Sequence, residues 1–282
     1  MLLALAAAAI ISVLITVGIV AVLVGEGATF FADVPLKEFF TGTEWFPVEG
    51  KYGVLPLLNA SILIALIAAV VAVPLGLGSA IYLSEYAPER LRRVVKPVLE
   101  ILAGMPTIVL GFFALDAVTP ALRTLIPGLG LYNALAAGIV VGLLITPLIS
   151  SLSEDAMRAV PNAMREGAFG LGATRRIVSL KVVVPAALSG IVASIVLALS
   201  RAIGETMAVT LAAGTVPNLS WNPVDGMQTI TAYIVQVSKG EATRGSLQYE
   251  SIFAVGLLLF VVTLAINIIA VRIVRKYRTV YQ

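Results

Sequence analysis

Six stretches of twenty or more mostly apolar residues, at 2–24, 57–83, 98–122, 133–152, 186–213 and 251–274, constrain this chain more than any other feature. A hydrocarbon core about 30 Å thick is crossed by about 20 residues of α-helix. Backbone groups at that depth find no water, so each stretch has to satisfy its own hydrogen bonds as a helix. The expectation is an all-α integral membrane protein with six transmembrane helices, read as one domain over 1–282 with no internal repeat. Composition agrees, since 59% hydrophobic residues, 12% charged residues and a mean hydropathy of +1.01 exceed what a soluble domain of this length uses. The chain has no Cys and no His, which excludes a disulfide framework, thiolate metal sites, a thiol nucleophile and an imidazole relay. Neither an enzyme nor a bound metal or cofactor is expected. Residues 2–24 lack a basic leader and a convincing cleavage site, and are read as a retained helix rather than a signal peptide.

Charge orients the helices. The segments after spans two, four and six carry Arg90, Arg92, Arg93, Lys96, Arg158, Arg165, Arg175, Arg176, Lys181, Arg272, Arg275, Lys276 and Arg278, against Lys37, Lys51, Arg123, Lys239 and Arg244 on the other side. The 13-to-5 split places both termini and the 153–185 loop in the cytoplasm. The same clustering beside apolar spans accounts for the basic pI of 9.2 without nucleic acid. On the external side, residues 25–56 gather Glu26, Asp33, Glu38, Glu44 and Glu49 around Trp45, Phe46 and Pro47, which reads as an ordered, aromatic-anchored loop. Between 214 and 250, Met227, Ile230, Tyr233, Ile234 and Val237 recur at helical spacing, predicting a short amphipathic helix along the outer surface.

Two polar places interrupt the apolar spans. Arg201 and Glu205 fall near the middle of the fifth span, where a charge costs about 2.5 to 3.5 kcal/mol on insertion scales. At i, i+4 on one helix they share a face with Thr206 nearby, and are expected to compensate each other and to line the bundle interior or a wet passage. The planar fork of Arg201 suits an oxyanion, with Glu205 holding it in place or accepting a hydrogen bond from a protonated oxygen. A structural ion pair between helices is the alternative. In the third span, Gly104, Pro106, Thr107 and Gly111 predict a packing kink, or an exposed carbonyl lining a passage. Asp116 lies further along the same span.

The segment Arg165–Pro185, REGAFGLGATRRIVSLKVVVP, is a charged, glycine-punctuated island between two spans. Pro161 suits the first turn of a helix whose Met164, Ala168 and Leu171 share a face. Gly170 and Gly172 end or bend it through positive φ, Arg175 and Arg176 open a second charged turn, and Pro185 starts the next span. Such an element can enter a groove on a partner or lie on lipid headgroups.

The spacing Glu166, Gly172, then Val182 to Pro185 resembles the EAA loop of ABC importers, with Gly167 where Ala is usual and Ala168 kept. Beyond it, AIYLSEYAP (80–88), KPVLEILAGMPTIVLGFFAL (96–115), SLSEDAMRAVPNAMREGAFGLGAT (151–174) and RAIGETMAV (201–209) are similar to the PstC-type permease subunits of phosphate ABC importers. The resemblance implies a type I importer permease (MetI-like) fold in a prokaryotic cytoplasmic (inner) membrane. It also implies a sister permease (PstA-like), a cytoplasmic ATPase dimer (PstB-like) using ATP and Mg, an external phosphate-binding protein (PstS-like) and inorganic phosphate as cargo. Coupling to the ATPase would fall to Glu166, Gly167, Ala168, Gly172 and Pro185, and the substrate pathway to Arg201, Glu205 and Thr206. The glycines at 167, 170 and 172 are not followed by the Lys-hydroxyl pair of a phosphate loop, so hydrolysis is assigned to the ATPase. Asn59, Ala60 and Ser61 depart from the Gly-Thr pair frequent in that family, and the missing basic leader is read as a short N-terminus. Import of molybdate or sulfate, an ion-coupled carrier relaying through Arg201 and Glu205, and a membrane scaffold are the rival readings.

Overall fold

A computed structural model describes residues 1–240 and 242–277; Arg278, counted above among the cytoplasmic cations, lies outside them. The first helix, α1 (Leu2–Asp33), runs nine residues beyond the expected end at 24, so the external segment is shorter than 25–56. It continues into α2 (Leu36–Thr41) and a two-stranded hairpin, β1 (Trp45–Phe46) and β2 (Lys51–Tyr52), in which Trp45 faces Tyr52. The predicted aromatic anchor is present: Trp45, Phe30 and Phe39 are fully buried, and Trp45 meets Tyr233 edge-on at 5.0 Å and Tyr52 at 5.9 Å.

The interior is built on α3 (Leu55–Ile81), continued by a π-helical turn over Tyr82–Tyr86, and α7 (Ala134–Arg158). Their facing surfaces are Ala, Val, Ile and Leu with glycines set against branched side chains. A Cβ at Gly142 would lie 2.8 Å from Val71 Cβ, and one at Gly138 would lie 2.5 Å from Ile67 Cβ, so the helices approach at nearly backbone distance. In lipid, such small-residue contacts replace the hydrophobic drive that packs helices in water. Asn133 caps α7 by accepting from the Ala136 amide at 2.7 Å, which fixes the start of this span where the sequence places it.

The third span departs from expectation. Residues 98–122 are not one kinked helix: α4 (Glu89–Ala103) ends at Gly104, and α5 (Thr107–Phe113), a π-helical turn and α6 (Thr119–Leu125) form the apolar crossing. Pro106 has no N–H to give and sits just before α5, so the break is a helix start rather than a bend. The fifth span is broken twice. After α8 (Asn162–Gly170), α9 (Arg175–Ile177), a π-helical turn and α10 (Val184–Ala186), the chain bends by 70° at Ala187 into α11 (Leu188–Ile203). A second break at Gly204–Thr206 precedes α12 (Met207–Ala213). Then α13 (Ile230–Lys239) carries the predicted periodicity, but Ile230, Tyr233 and Val237 are buried against the aromatic cluster rather than spread on an outer surface. Finally α14 (Leu247–Tyr277) packs beside α1. Among the described residues five helices are long and apolar enough to cross a membrane, and six when the pair bent at Ala187 counts as one.

Candidate functional site

The two interrupted spans meet at their breaks. Arg201 stands exposed near the end of α11 and donates from Nη2 to the carbonyl of Ala103, the last residue of α4, at 3.3 Å. Gly111 of α5 lies against α12, where a Cβ would come within 2.9 Å of Leu211 and 3.2 Å of Ala208 Cα. The expected pairing of Arg201 with Glu205 does not form. Because the helix stops at Ile203 and restarts at Met207, the two residues no longer share a face. Glu205 turns inward, only 8% exposed, and its Oε1 accepts from the Ala208 amide at 3.3 Å, supplying a partner to a donor that the new helix leaves open. Thr231 Oγ1 donates to the Glu205 carbonyl at 2.8 Å, tying the break to α13. Thr206 is half-buried and donates locally to the Gly204 carbonyl at 3.2 Å. Asp116 is exposed on the π-helical turn between α5 and α6.

An apolar groove of about 420 Å³ runs beside this crossing, lined by Leu99, Leu102, Met105, Val109, Leu110 and Phe113 with Leu143, Leu144, Thr146 and Pro147.

The glycine-punctuated island is a short two-faced helix. Pro161 sits at the N-cap of α8, one position before the expected first turn. Met164 and Ala168 pack on a buried cluster of Met157, Val160, Val178, Val183 and Ile191. Leu171 does not join that face: it stands 91% exposed beyond the helix. Gly170 is helical, so Gly172 alone, at φ +80°, supplies the left-handed turn, and the Ala173 amide closes it on the Ala168 carbonyl at 3.1 Å. Glu166, Gly167, Phe169 and Gly172 face outward, and a Cβ on either glycine would meet only open space. Pro185 is exposed in α10 at the 70° corner, so the following span starts at Leu188 instead.

Ion pairs that sequence reasoning missed hold the neighbouring ends together. Glu154, with 1% of its side chain exposed, lies 2.7 Å from Arg92 Nε and 2.9 Å from Lys96 Nζ, both on α4. Lys96 also pairs with Asp155. Burial works against the Lys96 ammonium, but the hydrogen bonds to Asp155 and Glu154 outweigh it and raise its pKa above the ordinary lysine value. A signal for Glu154 existed: it sits on the buried stripe Ser150, Ser153, Met157 of an otherwise apolar helix, where an acid needs cationic partners. Arg165 is clamped equally firmly, donating to Glu85 at 3.1 Å and to the carbonyls of Met157 and Val160.

Residues 72–279 match the family model of binding-protein-dependent transport system inner membrane components, and the chain belongs to that family. It is a multi-pass membrane protein with the importer permease fold. It is 36% identical over 282 aligned positions to the phosphate transport system permease protein PstC of Mesorhizobium japonicum, covering 93% of this chain and 86% of that one. It is 37% identical to the probable ABC transporter permease protein YqgH of Bacillus subtilis over 80% of this chain and 74% of the relative. Among solved structures, an inward-facing MetNI methionine ABC transporter superposes with a TM-score of 0.60 at 20% identity, over 84% of this chain and 99% of that one.

Proposed function

We propose that this chain is a permease subunit of an ATP-driven phosphate importer, forming half of a translocation pathway with a PstA-like sister and coupling it through α8 to a PstB-like ATPase dimer that consumes ATP and Mg. A PstS-like binding protein delivers phosphate to the external face, and both termini lie in the cytoplasm. The observation that carries this reading is the two-faced α8: its buried side is fixed to the spans, while Glu166, Gly167 and Gly172 offer an uncrowded outer surface that a partner can approach. The similarity to relatives named for phosphate transport supports the cargo.

In this mechanism the exposed Arg201 guanidinium is the transient phosphate contact. One of its amino groups rests on the Ala103 carbonyl, and the remaining donors of the planar fork are free to meet oxyanion oxygens. Glu205 is committed to the start of α12, its Oε1 taken up by the Ala208 amide at 3.3 Å. The experiment is uptake into proteoliposomes containing the assembled complex, with phosphate, sulfate and molybdate in competition. Phosphate is expected to be transported in preference, and Arg201→Ala at equal abundance to lower uptake about tenfold or more, as loss of a charged hydrogen bond does. Equal uptake of sulfate, or normal uptake by the variant, overturns the cargo or the role of Arg201 respectively.

A further inference from the structure

Besides the apolar packing of Met164 and Ala168, α8 is tied to the spans by the polar side chain of Arg165. Arg165 leaves α8 four residues after the Pro161 cap and spreads its guanidinium over the end of α7 and the turn that closes α3. Nη2 donates to Glu85 Oε1 at 3.1 Å, in the π-helical turn that ends the α3 span, and to the Met157 carbonyl at 2.8 Å. Nη1 donates to the Val160 carbonyl at 2.6 Å, and Nε faces the second Glu85 oxygen at 3.5 Å. The ends of α7 and α3 are therefore tied to one planar group. Both charges are shielded, with 15% of the Arg165 side chain and 7% of the Glu85 side chain exposed. A lysine, with a point charge and rotatable donors, has no means of reproducing this fan.

Carbonyls at the end of a helix lack the regular amide partner of interior ones; that of Met157 takes the Val160 amide at 3.2 Å, and the Arg165 cation adds a second donor and opposes the helix dipole. The apolar contacts of Met164 and Ala168 hold α8 against the cluster below, yet they are non-directional and allow it to slide. The bidentate carboxylate contact and the two carbonyls set an angle as well as a distance. Since α3 and α7 already interlock through Gly138 on Ile67 and Gly142 on Val71, whatever moves α8 moves both spans as one body.

We propose that Arg165, through Glu85 and the Met157 and Val160 carbonyls, is the positioning residue that converts displacement of α8 into joint movement of α3 and α7, rather than a contributor to membrane orientation only. This rests on α8 being the ATPase dock, and the test keeps the two ideas apart. In reconstituted complex, Arg165→Lys and Glu85→Gln are compared with the parent for co-purifying ATPase and for phosphate transported per ATP hydrolysed. Both variants are expected to retain the ATPase while the transport ratio falls about five- to tenfold, the range of a modest coupling energy. Because the chain has no natural cysteine, Glu85→Cys with Arg165→Cys adds a rescue: a short bifunctional thiosulfonate bridge is expected to restore the ratio, and reduction to abolish it again. If the parent binds no ATPase, the dock itself is wrong. With ATPase bound, a normal ratio in both single variants, failure of the bridge to restore it, or loss of assembly in both overturns the positioning role.

Discussion

Glu154 shows what a single residue has to arrange before it can be buried in this protein. An ionised carboxylate with 1% of its side chain exposed loses its water, and Arg92 and Lys96, reaching across from α4, replace that hydration with two cations. Removing the acid leaves a hole at the α4–α7 contact, while Arg92 keeps Glu89 and Lys96 keeps Asp155 as partners. Because those cations keep other partners, Glu154→Ala is expected to destabilise the fold by about 1 to 3 kcal/mol, the range for losing hydrogen bonds to a charged group. A lowered unfolding midpoint in detergent checks this, and a variant within experimental error of the parent would sink the assignment. The raised pKa of Lys96 fixes the pH dependence. A cation stabilised in the folded state contributes fully below its unfolded value of 10.5 and loses that contribution as pH rises through the higher folded value. The stability difference between the parent and Lys96→Met should therefore hold from neutral pH up to that point and shrink above it. Neither Glu154 nor Arg165 declares its partner in the sequence, because the partners lie 58 and 80 positions away. Arg92 entered the reading of the sequence as a counter of membrane orientation and Arg165 as that and as the start of the charged island, whereas the turn was legible but shared between Gly170 and Gly172, of which only Gly172 has the positive φ.

At the scale of elements, the α3–α7 contact depends on residues that are small in one helix where they are branched in the other. Gly138 has no room for a methyl group, whose Cβ would lie 2.5 Å from Ile67, while Gly78 on an exposed turn of α3 has nothing within 4 Å. Gly138→Ala is expected to cost about 1 to 3 kcal/mol through overpacking. Gly78→Ala is expected to be neutral or to stabilise by about 0.5 to 1 kcal/mol, because alanine restricts the unfolded chain and favours helix. Thermal unfolding of the two variants side by side tests the difference, and equal midpoints would contradict the close approach. The spans α1, α3, α7 and α14 are legible in the sequence because each is one helix along its apolar run, Pro74 and Pro147 notwithstanding. The third and fifth are not, since hydropathy averages across a break. Residues 98–103 are apolar enough to extend a span, yet they finish the amphipathic α4, and the run 186–213 conceals both the corner at Ala187 and the gap at Gly204–Thr206. That gap removed the Arg201–Glu205 pairing, which had been inferred from an unbroken helical spacing. Pro106 and Gly204 were visible signals, but a proline or glycine in a span marks a kink as often as an end, and tertiary packing decides between them.

Over the whole molecule, orientation follows from charge and is what the importer reading needs. The cations that crowd α4 and the α8–α9 segment belong to one end of the helices, and the hairpin carrying Trp45 belongs to the other. On the proposed topology of six crossings, the α8 surface and both chain ends would share the cytoplasmic side, where an excess of Lys and Arg is held back from translocation. Two single-cysteine variants settle the matter in a chain with no cysteine of its own. Val48, 90% exposed beside the hairpin turn, and Leu171, 91% exposed just past α8, are both open to reagent and outside the spans. A membrane-impermeant maleimide added to intact cells should label Val48→Cys directly and Leu171→Cys only after permeabilisation. Labelling in the opposite sense would put α8 on the outer face, out of reach of any ATP-consuming partner. Labelling of both from outside would mean an even number of crossings between them, with the interrupted stretch from α5 to α6 re-entering rather than crossing. Either result would remove the physical basis for coupling through this loop, whatever the similarity of the chain to known permeases.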